Sequence, residues 1–139
     1  MNYIFHQRLT YQDQGVIKGI RAAIVESEPE VVALYARHLT EAGVEASVFF
    51  DLRDAIDFAT QQKPQAVLVG ISLLTDKDYL LLEALREDHP SMVLVTMGDD
   101  LLEEYDIDKL MALGVSCHIN RQFSSPKDVS TTVKQLLGL

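Results

Sequence analysis

The chain has 139 residues, 47% of them hydrophobic, and a formal net charge of −9, which fits one globular domain able to bury a real core and disfavours nucleic acid or anionic lipid as a partner, since those call for clustered Lys and Arg. The single cysteine, Cys117, excludes an internal disulfide and a cysteine-built zinc site, and is expected in a buried strand. No stretch has the apolar length of a membrane span, and Met1 to His6 lacks the basic-then-apolar start of an export signal, so a cytoplasmic protein is expected.

Residues 1–19 stand apart as an N-terminal extension. Tyr3, Ile4, Phe5, Leu9, Tyr11, Val16 and Ile17 give it more apolar content than a disordered tail, making it a candidate to pack on the domain or on a partner. Residues 20–139 alternate strand and helix. Ile20 to Val25 reads as a first strand, and Pro29 to Ala42 as a helix with Val32, Leu34, Tyr35 and Leu39 at helical spacing, opened by Pro29 and stopped by Gly43. Val44 to Phe49 alternates as a second strand, and Asp51 caps a helix through Ala55, Ile56, Phe58 and Ala59 that ends near Lys63-Pro64.

Ala66 to Gly70 is a short, continuous apolar run of the kind covered on both faces in a parallel sheet. A helix over about Asp78 to Asp88 follows, with Leu81, Leu82 and Leu85 inward, then a fourth strand over Met92 to Thr96. Asp99 and Asp100 place negative charge at the start of the next helix, whose apolar positions include Leu102, Ile107, Leu110, Met111 and Leu113 before Gly114 stops it. Val115 to Ile119 is a fifth strand, and Ser125-Pro126-Lys127-Asp128 opens the last helix with a capping box. Strands separated by helices predict a doubly wound α/β domain with a parallel sheet, helices on both faces and its site at the carboxyl ends of the strands: Glu26, Ser27, Gly70, Thr96 and the residues after Ile119.

From about Ile20 to Leu139 the chain resembles the receiver domain of bacterial two-component response regulators. Ile24-Val25-Glu26-Ser27-Glu28-Pro29 is similar to the family's opening with its acidic pair, and Pro64 to Gly70 to its third strand. Val93-Leu94-Val95-Thr96-Met97-Gly98 is similar to the fourth strand with its hydroxyl residue, and Gly114 to Phe123 to the fifth strand and its Lys-Pro-Phe ending. The resemblance implies a flavodoxin-like fold, a five-stranded parallel sheet of order 2-1-3-4-5, and phosphoryl transfer onto an aspartate assisted by magnesium.

Each departure from the family pattern removes part of that chemistry. Gly70 stands where the resemblance puts the phosphoacceptor, so the nucleophile is absent. Glu26 keeps one acid of the pair and Ser27 replaces the other, so no cofactor is expected and magnesium binding should be weak or absent. Thr96 keeps the switch hydroxyl. Arg121 replaces the lysine and is placed to pair with Glu26, while Gln122 replaces the proline, so a trans peptide is expected before it. His118 takes the place of the aromatic switch residue, and a half-buried surface imidazole is the favoured reading for it.

The implied function is a phosphorylation-independent, non-catalytic signalling or scaffolding module acting by protein–protein interaction. Its partner is a signalling protein or a second copy of itself. The resemblance places the contacts on or near Leu101, Glu104, Tyr105, Asp108, His118 and Lys127. The alternative is a receiver of a larger regulator, its output domain following residue 139, that still switches through another acceptor or ligand; Ser72, Asp76 and Asp78 are the candidate acceptors. A flavodoxin-like enzyme is disfavoured, because Glu26-Ser27-Glu28-Pro29 presents two charges and lacks an amide where a phosphate-binding loop needs glycines and N–H groups.

Overall fold

The structure is a computed structural model that describes residues 19–71, 77–99 and 101–139, together with the backbone of residues 2–4 and 76. Ser72, Asp100, the side chain of Asp76 and most of the N-terminal extension therefore lie outside the described residues. The elements are β1 (Asn2–Ile4), β2 (Arg21–Val25), α1 (Pro29–Glu41), β3 (Glu45–Phe49), α2 (Leu52–Gln62), β4 (Ala66–Gly70), α3 (Asp76–Asp88), β5 (Val93–Gly98), α4 (Glu104–Ala112), β6 (Cys117–Asn120) and α5 (Pro126–Leu137).

Five strands form the expected parallel sheet. In spatial order they run β3-β2-β4-β5-β6, which is 2-1-3-4-5 when the parallel strands alone are counted. Alternation along the strands divides the core into two layers. Ile24, Leu68, Val95, Met97, Cys117 and Ile119 face α1 and α5, where Val32, Leu39, Val129, Val133 and Leu136 meet them. Ala23, Val25, Val67, Val69, Leu94 and Val115 face the other way, against Leu52 and Ala55 of α2, Leu82 and Leu85 of α3, and Leu110 and Leu113 of α4. Because β4 is covered on both faces, its sequence is apolar throughout, with no polar alternation.

The sheet has a sixth strand that the sequence did not announce. The backbone of Asn2–Ile4 runs antiparallel along β6, with Asn2 opposite Ile119, Tyr3 opposite His118 and Ile4 opposite Cys117. Three residues are too few for a period to be read, and the pairing depends on an edge formed by residues more than a hundred positions away.

Helix starts follow local chemistry, with one correction. Asp51 accepts from the Arg53 N–H at 2.7 Å, and Ser125 and Asp128 close a capping box in both directions. Helix α4, expected to begin at Asp99, begins instead at Glu104, where Glu103 and Asp106 form the box and Leu101 and Leu102 lie outside the helix. The Asp99 carboxylate accepts from Arg121 instead. Met111, expected among the apolar positions of the helix, is exposed instead.

At the opposite end of the sheet, Arg86 of α3 donates to the carbonyls of His89, Pro90, Met92 and Gly114 at 2.7–3.1 Å. Gly114 has φ +78, and a Cβ there would stand 3.0 Å from Arg86 Nε, so glycine serves both the turn and the guanidinium. Among the described residues no helix is long and apolar enough to cross a membrane.

Candidate functional site

The carboxyl ends of the parallel strands bring together Glu26 after β2, Gly70 at the end of β4, Thr96 and Asp99 on and after β5, and Arg121 after β6. Glu26 is 5% exposed, although a lone carboxylate resists burial. Its Oε2 accepts from Arg121 Nη1, and its Oε1 accepts from the Ser27 N–H at 2.9 Å. Arg121 also donates through Nε to Asp99 Oδ1 at 3.0 Å, so one guanidinium bridges two carboxylates.

Gly70 explains how Glu26 fits. A Cβ built on Gly70 would collide with Glu26 Oε2 and stand 2.8 Å from its Cδ and 3.1 Å from Oε1. The Glu26 carboxylate therefore fills the space that any side chain at position 70 would need. Backbone conformation is not the reason for glycine here, since Gly70 is not among the residues with positive φ.

Tyr35 of α1, buried among the core residues, also reaches this cluster and hydrogen-bonds Arg121. Burial pushes the tyrosine hydroxyl up from its ordinary value, and the Arg121 charge pulls partly against that. Burial alone would lower the Arg121 guanidinium, but Glu26, Asp99 and Tyr35 outweigh it and the group is raised, so it stays charged. Asp99 and Tyr35 are the site residues that sequence reasoning missed. Asp99 reads as a helix cap and Tyr35 as a core position of α1, and only the tertiary position of Arg121 reveals their other role.

Thr96 and His118 form a second, wholly buried pair, with Thr96 Oγ1 and His118 Nδ1 2.8 Å apart. The expectation of a half-buried surface imidazole is corrected: β6 is inner to β1, and His118 is 0% exposed. Burial, with the Arg121 charge adding to it, pushes the imidazole down to about 4. Cys117 beside it is buried as expected, and its thiol is pushed up to about 12 by loss of solvent.

Arg121 to Phe123 form a single 3-10 turn in which Asn120 Oδ1 accepts from the Gln122 N–H at 2.9 Å, and no peptide bond among the described residues is cis. Of the candidate acceptors, Asp78 lines a separate cavity of about 290 Å³ between α2 and α3, with Phe50, Asp51, Arg53 and Lys77. None of the residues around Gly70 lines that cavity. Ser72 and the Asp76 side chain lie outside the described residues.

The residues offer a magnesium ion a poor fit. Glu26 and Asp99 already share a permanent guanidinium charge, and a divalent cation bound by them would have to displace it. Among the described residues no group of three or more His, Cys, Asp or Glu is placed to hold a metal.

The residues expected to make contacts divide around one edge of the sheet. Leu101, 62% exposed, and Tyr105, 70% exposed, lie with Glu104 and Asp108 on the outer side of α4 and its entry, and Lys127 lies exposed on α5. Helices α4 and α5 pack on opposite faces, so these groups flank the β6 edge. His118 is withdrawn from that exposed set by its burial, and β1 runs along the edge between the two helices. Lys109 sits 3.7 Å from the Tyr79 ring centroid and 5.9 Å from that of Tyr105, which ties Tyr105 to α3.

No protein-family model matches the chain, and no curated protein is similar to it. Solved structures are. HP1043, an orphan response regulator of H. pylori, superposes with a TM-score of 0.75 at 18% identity, over 85% of this chain and 96% of that one. An atypical orphan response regulator, described as having a phosphorylation-independent regulatory mechanism, gives 0.74 at 18% identity over 86% and 97%. The chemotaxis protein CheY4 of Vibrio cholerae gives 0.74 at 13% over 85% and 98%. With its strand order and its carboxyl-end cluster, the chain has the fold of response-regulator receiver domains.

Proposed function

We propose that this chain is a non-catalytic signalling module of the receiver fold that works by binding proteins and takes no phosphoryl group. The observation that carries this reading is the Glu26 carboxylate seated over Gly70 and held there by Arg121. In receiver chemistry a carboxylate at the end of this strand is the nucleophile, and a cation stabilises the charge that develops on the phosphoryl group. Here the strand ends in a residue without a side chain, and the guanidinium is already committed to Glu26 and Asp99. An incoming phosphoryl group would meet the Glu26 carboxylate, whose Oε2 already accepts from Arg121 and whose Oε1 accepts from the Ser27 N–H. The site is built to hold one state, and magnesium has no part in it on this reading. The orphan regulators of the same fold, one of them described as phosphorylation-independent, are precedents for such a module.

The contacts are assigned to the exposed groups flanking β6: Leu101, Glu104, Tyr105 and Asp108 on one side and Lys127 on the other. Aromatic anchors of the Tyr105 kind are enriched at interface hot spots. The test is affinity capture from a lysate of the source cells, with native bait and with a folded Tyr105→Asp, Lys127→Glu variant, each with and without acetyl phosphate. A partner held by the native bait, lost by the variant and indifferent to the phosphodonor is expected. Capture that requires the phosphodonor overturns the reading.

A further inference from the structure

We infer that the outer edge of β6 is a strand-addition site and that Asn2–Ile4 of the same chain is its resident, an edge guard held in cis by a tether. The pairing is antiparallel and in register over three residues, Asn2 to Ile119 through Ile4 to Cys117. An unpaired edge is a template for another chain, and proteins commonly cover such edges. The kind of partner the edge fits is therefore an extended segment that adds antiparallel through backbone hydrogen bonds and displaces the resident strand.

The tether allows this arrangement within one chain. From β1 to β2 the sheet order crosses β6, β5 and β4, four strand spacings or roughly 19 Å. The chain between Ile4 and Arg21, fully extended, spans up to about 55 Å, so the resident strand reaches its edge without constraint. A tether of this sort holds its segment at an effective concentration of roughly millimolar, which a short exposed strand needs and a free copy at ordinary concentration does not match.

The guard also sits beside the buried pair at the strand ends. Its central residue, Tyr3, stands opposite His118, and His118 holds the Thr96 hydroxyl. Departure of β1 would turn His118 from an inner-strand residue into an edge residue and loosen the group that fixes Thr96. Occupancy of the edge and the state of the strand-end site are thereby linked without phosphate.

The test uses the full chain with Tyr3→Pro or Ile4→Pro. Neighbouring residues of an antiparallel strand aim their N–H groups to opposite sides, so one of these variants removes a donor aimed at β6 and the other one aimed outward. Hydrogen exchange should show protection falling at least tenfold at those amides of Cys117 to Asn120 that face β1, in one variant only. Amides of β6 that face β5 should keep their protection, which separates release of the strand from unfolding. A synthetic peptide of residues 1–6, added to roughly millimolar concentration to match the tether, should restore protection in the released variant and leave the protection of the native chain unchanged. Unchanged exchange in both variants overturns the inference, and so does a peptide that acts equally on native and released chains. Protection that falls on dilution of the native chain would place the strand in a second copy and overturn the cis assignment.

Discussion

The Glu26 carboxylate lies where a side chain at Gly70 would lie, and Arg121 holds it there. The two positions are thus coupled by volume as well as by charge. Neither can change alone without disturbing the other.

That coupling is measurable. Gly70→Ala should destabilise the fold by roughly 1–3 kcal/mol, the usual cost of forcing a methyl into filled space. Glu26→Asp shortens the acid by one methylene and should absorb much of the added methyl. A double-mutant cycle followed by urea denaturation should then give a favourable coupling of about 1 kcal/mol or more. Additive single effects would mean that the two side chains do not compete for one space.

Removing Arg121 leaves a buried acid without its cation. The pair is closed off, with side chains 11% and 5% exposed, so Arg121→Ala should cost about 3 kcal/mol or more in chemical denaturation. Arg121→Lys should recover only part of this, since a single ammonium cannot bridge Glu26 and Asp99 as the guanidinium fork does. Glu26→Gln in the Arg121→Ala background should restore stability by taking away the unpaired charge.

The buried imidazole sets a pH dependence. His118 is pushed down to about 4 in the folded chain from an unfolded value near 6.5. Between these values the unfolded chain binds the extra proton, so stability rises with pH across this window and is lost as pH falls through it. The full contribution is roughly 3 kcal/mol, since each tenfold loss of proton affinity on folding is worth about 1.4 kcal/mol. Replacing His118 with Asn, which keeps a polar atom near the Nδ1 position, should flatten this part of the stability profile measured from pH 4 to 7. A slope that survives the substitution would assign the effect to another group.

Away from the site, Arg86 ties the end of α3 to the strand starts through four backbone carbonyls. Arg86→Lys keeps the charge but loses the fork and should cost about 2–3 kcal/mol by denaturant unfolding, because bonds made by a charged donor are worth more than neutral ones. No loss would show that those carbonyls are as well served by water.

The parallel strands and most helix ends are written locally, in apolar runs such as Ala66 to Gly70 and in caps such as Asp51 and Ser125, so the doubly wound order follows from sequence. The start of α4 is not local. Asp99 and Glu103 are both acids able to begin a helix, and Arg121, more than twenty residues later, claims the first. The Glu26 and Arg121 pairing can be anticipated from strand ends in a known topology, whereas Asp99 and Tyr35 enter only through the reach of one long side chain. The burial of His118 escapes a local reading because it depends on what the folded sheet brings to β6, including β5 on one side and, on the other, three residues from the start of the chain.

The central claim is that the strand-end pocket is already filled and holds one state. The most direct measurement is a two-dimensional amide NMR titration of the native chain with magnesium and beryllofluoride, a mimic of a phosphorylated carboxylate. No saturable shifts at Glu26, Gly70, Thr96 or Arg121 are predicted, because the Glu26 and Asp99 carboxylates and the guanidinium are already engaged with one another. Saturable shifts at those amides, spreading to His118, would reveal a phosphate-driven switch and contradict the account.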